Sequence, residues 1–498
     1  MILLLLACPS DPDDTTRPID SAGDAPVDTA PPPPLEVSIT ASEAFDPLRE
    51  GRVWIDVSLS EGALARVSVA DESGAEIAVL IEDLAVSDDF SWGGRDDSGT
   101  IVPAGVYTLT VEATRAEETT SAAVQTRSVR LGALEGTLGG ERLPLIWHRG
   151  LGAGGYWPAP VDAVSFSLAA LEEDGVAVSL PTPWDELGVI PQEPEVGINW
   201  PAAYAHDAIP TLSITLDGEL AGLDAELTAS IEGWSLTEGS VGVGETLSFV
   251  RDAPLAEGPR VVEESLTLQF LLAEEVVSQQ VLELRLYALL GAHTFSESGP
   301  AYGAWVAAID PALRALEGVE ASQAAVLSAL VEFIFRDQGL RYDTDYGASA
   351  YVNYQGGSWT RAHFNFTAFL ARANGEVINC SDAAAILSGY ANMLGAELSY
   401  LILNPSFELN YIMSIGGEDF TRCPFGPGGC GFSYHALTSP DGSDTIYDAT
   451  LALDGDGDPR NLPGTEWLVQ GVTGEGYAEA LVRFGSPYYH SESKGTIQ

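Results

Sequence analysis

Lysine is all but missing from this chain. The 22 basic residues include a single lysine, Lys494, and stand against 73 acidic ones, for a net charge of −51. Nucleic acid, anionic lipid and polyanionic sugars are repelled by such a surface and are excluded as default partners. The acidity itself reads first as solubility outside the cell or in salt water, and only second as a sign of calcium. The preference for arginine over lysine is compatible with coding bias and carries no mechanism. Cysteine is also scarce: four in 498 residues exclude a disulfide-dense scaffold, and each can be given a separate job. Long apolar runs are absent, so no segment reads as a transmembrane helix. Of the six histidines, His148 and His206 lie far from other ligand types and read as turn or packing residues.

What is present is ample apolar content, 45% with 9% aromatic, which supports packed domains. At this length two to four are expected. The chain opens Met1-Ile2-Leu3-Leu4-Leu5-Leu6-Ala7-Cys8, and Leu5-Leu6-Ala7-Cys8 resembles a bacterial lipobox. That resemblance implies a signal segment over residues 1–8, lipid on Cys8, and export to the cell envelope on a membrane anchor. Residues 9–35 are rich in Asp, Thr, Ala and Pro and end in Pro31-Pro32-Pro33-Pro34, a disordered, semi-rigid tether with no core of its own.

Residues 36–133 turn to β. Val53, Ile55, Val57 and Leu59 alternate, as do Tyr107, Leu109 and Val111, the period of half-buried strands. With Trp92, Gly94, Asp96, Gly99, Pro103, Gly105 and Tyr107, the segment resembles the immunoglobulin-like domain of flagellar hook-capping proteins. Gly93 stands where that family usually has Asp or Asn. The likeness implies a β-sandwich acting as a spacer or adhesion module. Residues 134–290 alternate again at Leu266, Leu268 and Phe270 and at Leu282, Leu284 and Leu286, a second β-rich domain with no motif of function.

From residue 295 to 498 the period changes. Ala321–Gln338 carries Val326, Leu330, Phe333 and Ile334 on one helical face, with Gly339 as its stop. A second helix is predicted over Ser381–Leu394, ended by Gly395, and a buried strand over Leu398–Leu403. Helices precede strands, so this part reads as α+β. The fold class expected for the whole chain is multidomain: β-sandwich domains followed by an α+β domain.

Chemistry concentrates in that last part. Cys423 and Cys430 bracket a flexible Pro424–Gly429 loop, and an exported chain permits them a disulfide. A zinc site from Cys423, Cys430 and His435 lacks a clear fourth ligand. Cys380 is then left over, at the predicted first turn of a helix, where unpaired N–H groups and the helix dipole favour a thiolate. A lone buried cysteine is by itself more often packing, and a lone strand histidine is usually structural. The conjunction changes that. Two β-like runs, Phe432–Thr438 and Thr445–Leu451, flank Asp441-Gly442, a strong hairpin signal. With that dipeptide at the tip, His435 falls directly opposite Asp448, and Leu437 opposite Ile446. The carboxylate is then able to fix the imidazole tautomer.

Residues 320–455 resemble the transglutaminase-like domain of the papain-type cysteine superfamily. The likeness covers the helix before Tyr342, the approach Gly375-Glu376-Val377-Ile378-Asn379-Cys380, the helix end Asn392-Met393-Leu394-Gly395-Ala396, and the His435 and Asp448 strands. Ile378 and Ala436 replace the family's usual glycine before the cysteine and aromatic after the histidine. The resemblance implies Cys380 as nucleophile, His435 as general base and acid, and Asp448 as the orienting carboxylate. It implies acyl transfer or hydrolysis on protein or peptide amides through a thioester, with no required cofactor. A papain-like peptidase shares these residues, and a non-catalytic binding platform is the rival from another class. An oxyanion needs two donors: the Cys380 backbone N–H, and Trp359 or Asn379. Asp454, Asp456 and Asp458 in a glycine-rich turn suit calcium, which relatives in the superfamily use, but Pro459 stands where an EF-hand needs glycine. A solvated acidic turn is the preferred reading.

Overall fold

A computed structural model describes residues 33–49, 51–147, 201–223, 226–294, 303–354 and 362–491, with short strands at 159–160, 165–167, 296–297 and 496–497. Cys8, residues 9–32, His148 and Trp359 lie outside the described residues. The described chain is predominantly β and holds several sheets. No helix among the described residues is long and apolar enough to cross a membrane.

The first sandwich forms because alternation buries one face of each strand. In Val53–Leu59 the valines and Ile55 are buried and Trp54, Asp56 and Ser58 are exposed. Fully burying each such aliphatic contributes about 1.5–3 kcal/mol. A three-stranded sheet (Val37–Ala41, Val53–Leu59, Asp88–Trp92) faces a five-stranded one built around Gly105–Arg115. Trp92 sits between them, 5.4 Å from the Phe45 ring and 5.7 Å from Tyr107. Gly94, at φ +67°, packs where a Cβ would lie 2.6 Å from Pro47 Cβ, so only glycine fits. The Tyr107 hydroxyl donates to the Pro103 carbonyl at 2.8 Å, pinning the Gly99–Gly105 turn to its strand.

The second unit starts earlier than its expected boundary at 134. The strand Arg130–Gly139 leaves the first sandwich and pairs with Thr211–Glu219 in a nine-stranded sheet. Composition changes little there, so the switch of sheets left no mark in the sequence. The predicted alternation over 266–286 is one long hairpin, with Leu266 opposite Leu282 and Val262 opposite Leu286. The two units are locked by the buried Asp46, whose carboxylate accepts from Ser278 Oγ (2.7 Å) and the Leu131 N–H (3.1 Å). Burial raises its pKa while these donors, Arg49 and the Leu48 N–H lower it.

The C-terminal elements share one continuous core with the second sheet. Helix Val306–Ala315 was not resolved as an element in the sequence, since Pro311 interrupts its pattern. The predicted helix over 321–338 is Gln323–Glu332 plus a wider π-helical turn at Phe333–Asp337, followed by Gly339 at φ +63°. The helix Cys380–Met393 is buried along its whole length, which its small residues Ala383, Ala384, Ala385, Gly389 and Ala391 permit. It packs on a sheet ordered Met413–Ser414, Thr445–Asp454, His435–Pro440, Leu398–Asn404 and Tyr488–Ser491. Its far end is clamped: Asn392 exchanges hydrogen bonds with Leu398 and accepts from Thr294, and Gly395 turns at φ +86° directly against the Gly291 backbone.

Two expectations about the hairpin are corrected. The run Phe432–Thr438 is two strands in two sheets, Gly431–Phe432 and His435–Pro440. The loop is longer than two residues, since Ser443 and Asp444 extend it through the Ser439 Oγ–Ser443 carbonyl bond and the Gly474 N–H on the Asp444 carbonyl. Thr438 therefore pairs with Tyr447, and in that register Asp448 faces Leu437 rather than His435, and Leu437 does not face Ile446. The displacement is two residues. An even shift keeps His435 and Asp448 on one face as diagonal neighbours, where an odd one would have parted them.

Candidate active site

Cys380 is the first helical residue of Cys380–Met393, and Asn379 is its cap. Asn379 Oδ1 accepts from the N–H groups of Ser381 (2.9 Å) and Asp382 (3.1 Å), and its Nδ2 donates to the Gly347 carbonyl at 3.0 Å. Asp382 returns the bond to the Asn379 N–H at 3.2 Å, completing a capping box. The same carboxylate accepts from Ser349 Oγ and from the N–H groups of Ala350, Tyr351 and Val352 at 2.7–2.9 Å. A buried carboxylate met by five donors fixes the helix start. Since the Ala383 N–H goes to the Asn379 carbonyl, the Cys380 N–H is the first-turn donor that the cap does not use.

His435 Nε2 and Asp448 Oδ2 are 2.8 Å apart, with the two side chains 0% and 1% exposed. Asp448 also accepts from the Tyr477 hydroxyl at 2.7 Å and from the Thr450 N–H at 2.7 Å. Burial by itself would neutralise both partners. It lowers the imidazole's pKa, but the charge and hydrogen bond of Asp448, with Cys380, push it up to about 10. Burial likewise raises Asp448, and the His435 charge and the three hydrogen bonds bring it below the ordinary carboxylate value. The pair is an imidazolium and a carboxylate across neutral pH.

Asp448 occupies Nε2, so Nδ1 is the nitrogen left for the sulfur. Nδ1 has no other hydrogen-bond partner, while Cys380 contributes both charge and hydrogen bonding to His435. The thiol and Nδ1 are neighbours, and no other group lies on Nδ1. Phe432 stacks on the imidazole at 4.8 Å and 15°, and Tyr477 lies parallel on it at 6.4 Å. Tyr342 completes the surround, its hydroxyl and the Cys380 sulfur near enough to act on each other, its ring 5.9 Å from Phe425 and 6.3 Å from Phe432. Beside it, Ser381 Oγ and the Tyr434 hydroxyl are 3.0 Å apart.

The three residues singled out as nucleophile, base and orienter thus converge. Others do not. Trp359 lies outside the described residues, and Asn379 serves as cap and clamp on Gly347 instead of facing the sulfur as an oxyanion donor. Cys423 and Cys430 are joined in a disulfide, so neither is free for zinc, and Cys380 is the free thiol among the described residues. Asp454 and Asp456 lie close enough to act on each other, with Asp458 nearby. Each accepts a backbone N–H two residues on, at 3.0, 2.9 and 3.3 Å. No cluster of three acidic, histidine or cysteine side chains among the described residues is arranged for a metal. Sequence reasoning missed Tyr342, Phe432 and Tyr477. The signal for Tyr477 was Thr473, which caps the helix Gly474–Leu481 by accepting the Gly476 N–H.

Residues 47–117 match the family profile of the FlgD Ig-like domain, so the N-terminal sandwich is an immunoglobulin-like domain of the hook-capping type. Comparison with curated proteins gives no match. Among solved structures, a β-glucuronidase of Parabacteroides merdae is 14% identical over 20% of this chain and 14% of that one, with a TM-score of 0.15. A β-glucuronidase of glycoside hydrolase family 2 is 10% identical over 88% of this chain and 38% of that one, with a TM-score of 0.13. The chain spans well under half the length of either enzyme, and at such TM-scores neither likeness bears on its fold or chemistry.

Proposed function

We propose that this is an exported, lipid-anchored cysteine enzyme of transglutaminase-like type, performing acyl transfer or hydrolysis on protein or peptide amides. Its C-terminal part is read as an α+β papain-type domain, with the nucleophile's helix laid on the sheet that carries base and acid. One observation carries the reading. Cys380, at a capped helix start, faces His435, whose far nitrogen is held at 2.8 Å by the buried Asp448. A buried imidazolium beside a sulfur at a helix N-terminus is what a thiolate requires. The sulfur attacks an amide carbonyl, its proton resting on His435. Collapse expels the amine, which takes that proton and leaves a thioester. Water or a second amine then resolves it, returning the proton to the imidazole.

A second reading, a non-catalytic surface module, draws on the near-complete cover of Cys380, which is 3% exposed. Mass spectrometry of a glutamine-containing peptide and a primary amine, incubated with wild type and Cys380→Ala, separates the cases. A peptide–amine adduct formed only by wild type supports transfer, and peptide cleavage or deamidation supports hydrolysis. Unaltered peptide in both, with sluggish iodoacetamide labelling of Cys380 that His435→Ala leaves unchanged, would leave only the binding module.

A further inference from the structure

We propose that Tyr342 is the second oxyanion donor of this site, acting with the backbone N–H of Cys380. The inference rests on the reading of Cys380 as an acyl-accepting nucleophile. A tetrahedral intermediate needs two donors aimed at its oxygen. The cap leaves the Cys380 N–H as one, and the Asn379 side chain is already spent on Ser381, Asp382 and Gly347.

The backbone around Tyr342 is held on both sides. Arg341–Tyr342 pairs in parallel with Val377–Ile378, setting Tyr342 beside Ile378, two residues before the nucleophile. The Tyr342 N–H donates to the Ile415 carbonyl at 3.0 Å and the Asp343 N–H to the Ile378 carbonyl at 2.7 Å. The ring, 8% exposed, is flanked by Phe425 and Phe432, and Phe432 in turn stacks on His435. Phe425 lies within the loop closed by the Cys423–Cys430 disulfide, and Phe432 stands two residues beyond it. One covalent loop therefore braces the tyrosine and the imidazole together. The pairing with Val377–Ile378 and the ring contacts through Phe432 to His435 set Tyr342 in the same cluster as the nucleophile, where its hydroxyl and the Cys380 sulfur act on each other. Burial first, then the neighbouring sulfur, keeps the phenol protonated and hence a donor.

In the step this assigns, the Sγ–C bond forms and the carbonyl π pair moves to oxygen. Tyr342 O–H turns from sulfur to that oxygen, and Cys380 N–H donates beside it. As the oxyanion collapses, the bond to the leaving group breaks and both donors are released unchanged. Nothing is oxidised, and the only proton that moves is the one on His435.

The test compares two reactions of the same sulfur in the full chain. Acylation by p-nitrophenyl acetate, read as nitrophenolate released in a burst, passes through an oxyanion. Alkylation by iodoacetamide, read by mapping the Cys380 peptide, is a displacement at carbon and develops none. Tyr342→Phe keeps the ring packing and is expected to slow acylation about 10²-fold while alkylation stays within about threefold of wild type, a margin well inside that loss. Should that variant not fold, 3-fluorotyrosine in place of Tyr342 keeps ring and hydroxyl and strengthens the donor, so acylation is expected to rise with alkylation unmoved. Acylation unchanged in either variant overturns the proposal. Acylation accelerated by Tyr342→Phe overturns it in favour of a hydroxyl that merely covers the sulfur, and equal losses in both reactions overturn it in favour of packing. If wild type shows no burst that Cys380→Ala removes, the enzyme reading itself falls, and the assignment of Tyr342 with it.

Discussion

Replacing Asp448 by asparagine keeps the side chain's size and removes the charge that holds His435 protonated. The consequence is large because the imidazole is wholly buried. With the carboxylate gone, burial acts almost alone and drives the imidazole below its ordinary value of 6.5. A fall from about 10 to below 6.5 removes, at ~1.4 kcal/mol per pKa unit, ~5 kcal/mol from the imidazolium. The ratio of charged to neutral imidazole falls by roughly 10³-fold, and at pH 7 the neutral form becomes the majority. An amide also presents N–H where Nε2 and the Tyr477 hydroxyl both donate, which favours the wrong tautomer. Iodoacetamide alkylation of Cys380, followed by peptide mapping between pH 5 and 9, should therefore slow at pH 7, by up to about 10³-fold. Stability changes with a definite sign. The imidazole's folded pKa is raised, so its contribution is whole below pH 6.5 and is lost as pH rises through about 10. The carboxylate's is depressed below 3.8, so its contribution is present above that pH and lost as pH falls through the folded value. Asp448→Asn should flatten both limbs of the stability profile. Alkylation within about threefold of wild type, far short of the loss worked above, with both limbs intact, would refute the reasoning.

Three further outcomes are expected. Tyr477→Phe removes a 2.7 Å hydrogen bond to a buried carboxylate and should cost about 1.5–3 kcal/mol in urea unfolding; a change near zero would mean that Thr450 and His435 suffice for Asp448. Asp382→Asn sets an amide against five donors at the helix start and should cost about 1–3 kcal/mol by the same measurement, with the loss of helical signal and of Cys380 labelling coinciding. Asp46→Ala strands Ser278 and the Leu131 N–H at the junction of the first two units, so trypsin should cut after Arg127 or Arg130 sooner than in wild type; unchanged digestion would show that the two sheets hold together without it.

The parts legible in the sequence were those with local signals. Alternating leucines gave β-strand character over 266–270 and 282–286, though not the hairpin that joins them, and Gly339 and Gly395 ended their helices at positive φ as a C-terminal stop requires. The Trp92-to-Tyr107 pattern gave the immunoglobulin-like domain, and a helix-start cysteine with a strand histidine and aspartate gave three residues that meet. What failed depended on neighbours distant in the chain. Asp441-Gly442 announced a turn but not that Gly474 would hold Asp444 and lengthen the loop. The face survived this error because the slip was even. Tyr477 reaches Asp448 from a helix that forms only through its Thr473 cap, and Tyr342 meets Cys380 only after pairing with Ile378. Asn379 was one of two candidates, with Trp359, for the second oxyanion donor. A side chain that precedes a helix is drawn first to the unpaired N–H groups of its opening turn.

The central claim is that Cys380 carries an acyl group. Mixing the full chain with p-nitrophenyl acetate, quenching in acid within seconds and mapping peptides by mass tests it without knowledge of the natural substrate. The account predicts an acetyl group on the peptide containing Cys380, labile to hydroxylamine at neutral pH as a thioester is, and missing from Cys380→Ala. Acetyl groups scattered over other side chains, with the Cys380 peptide unmodified, would contradict it.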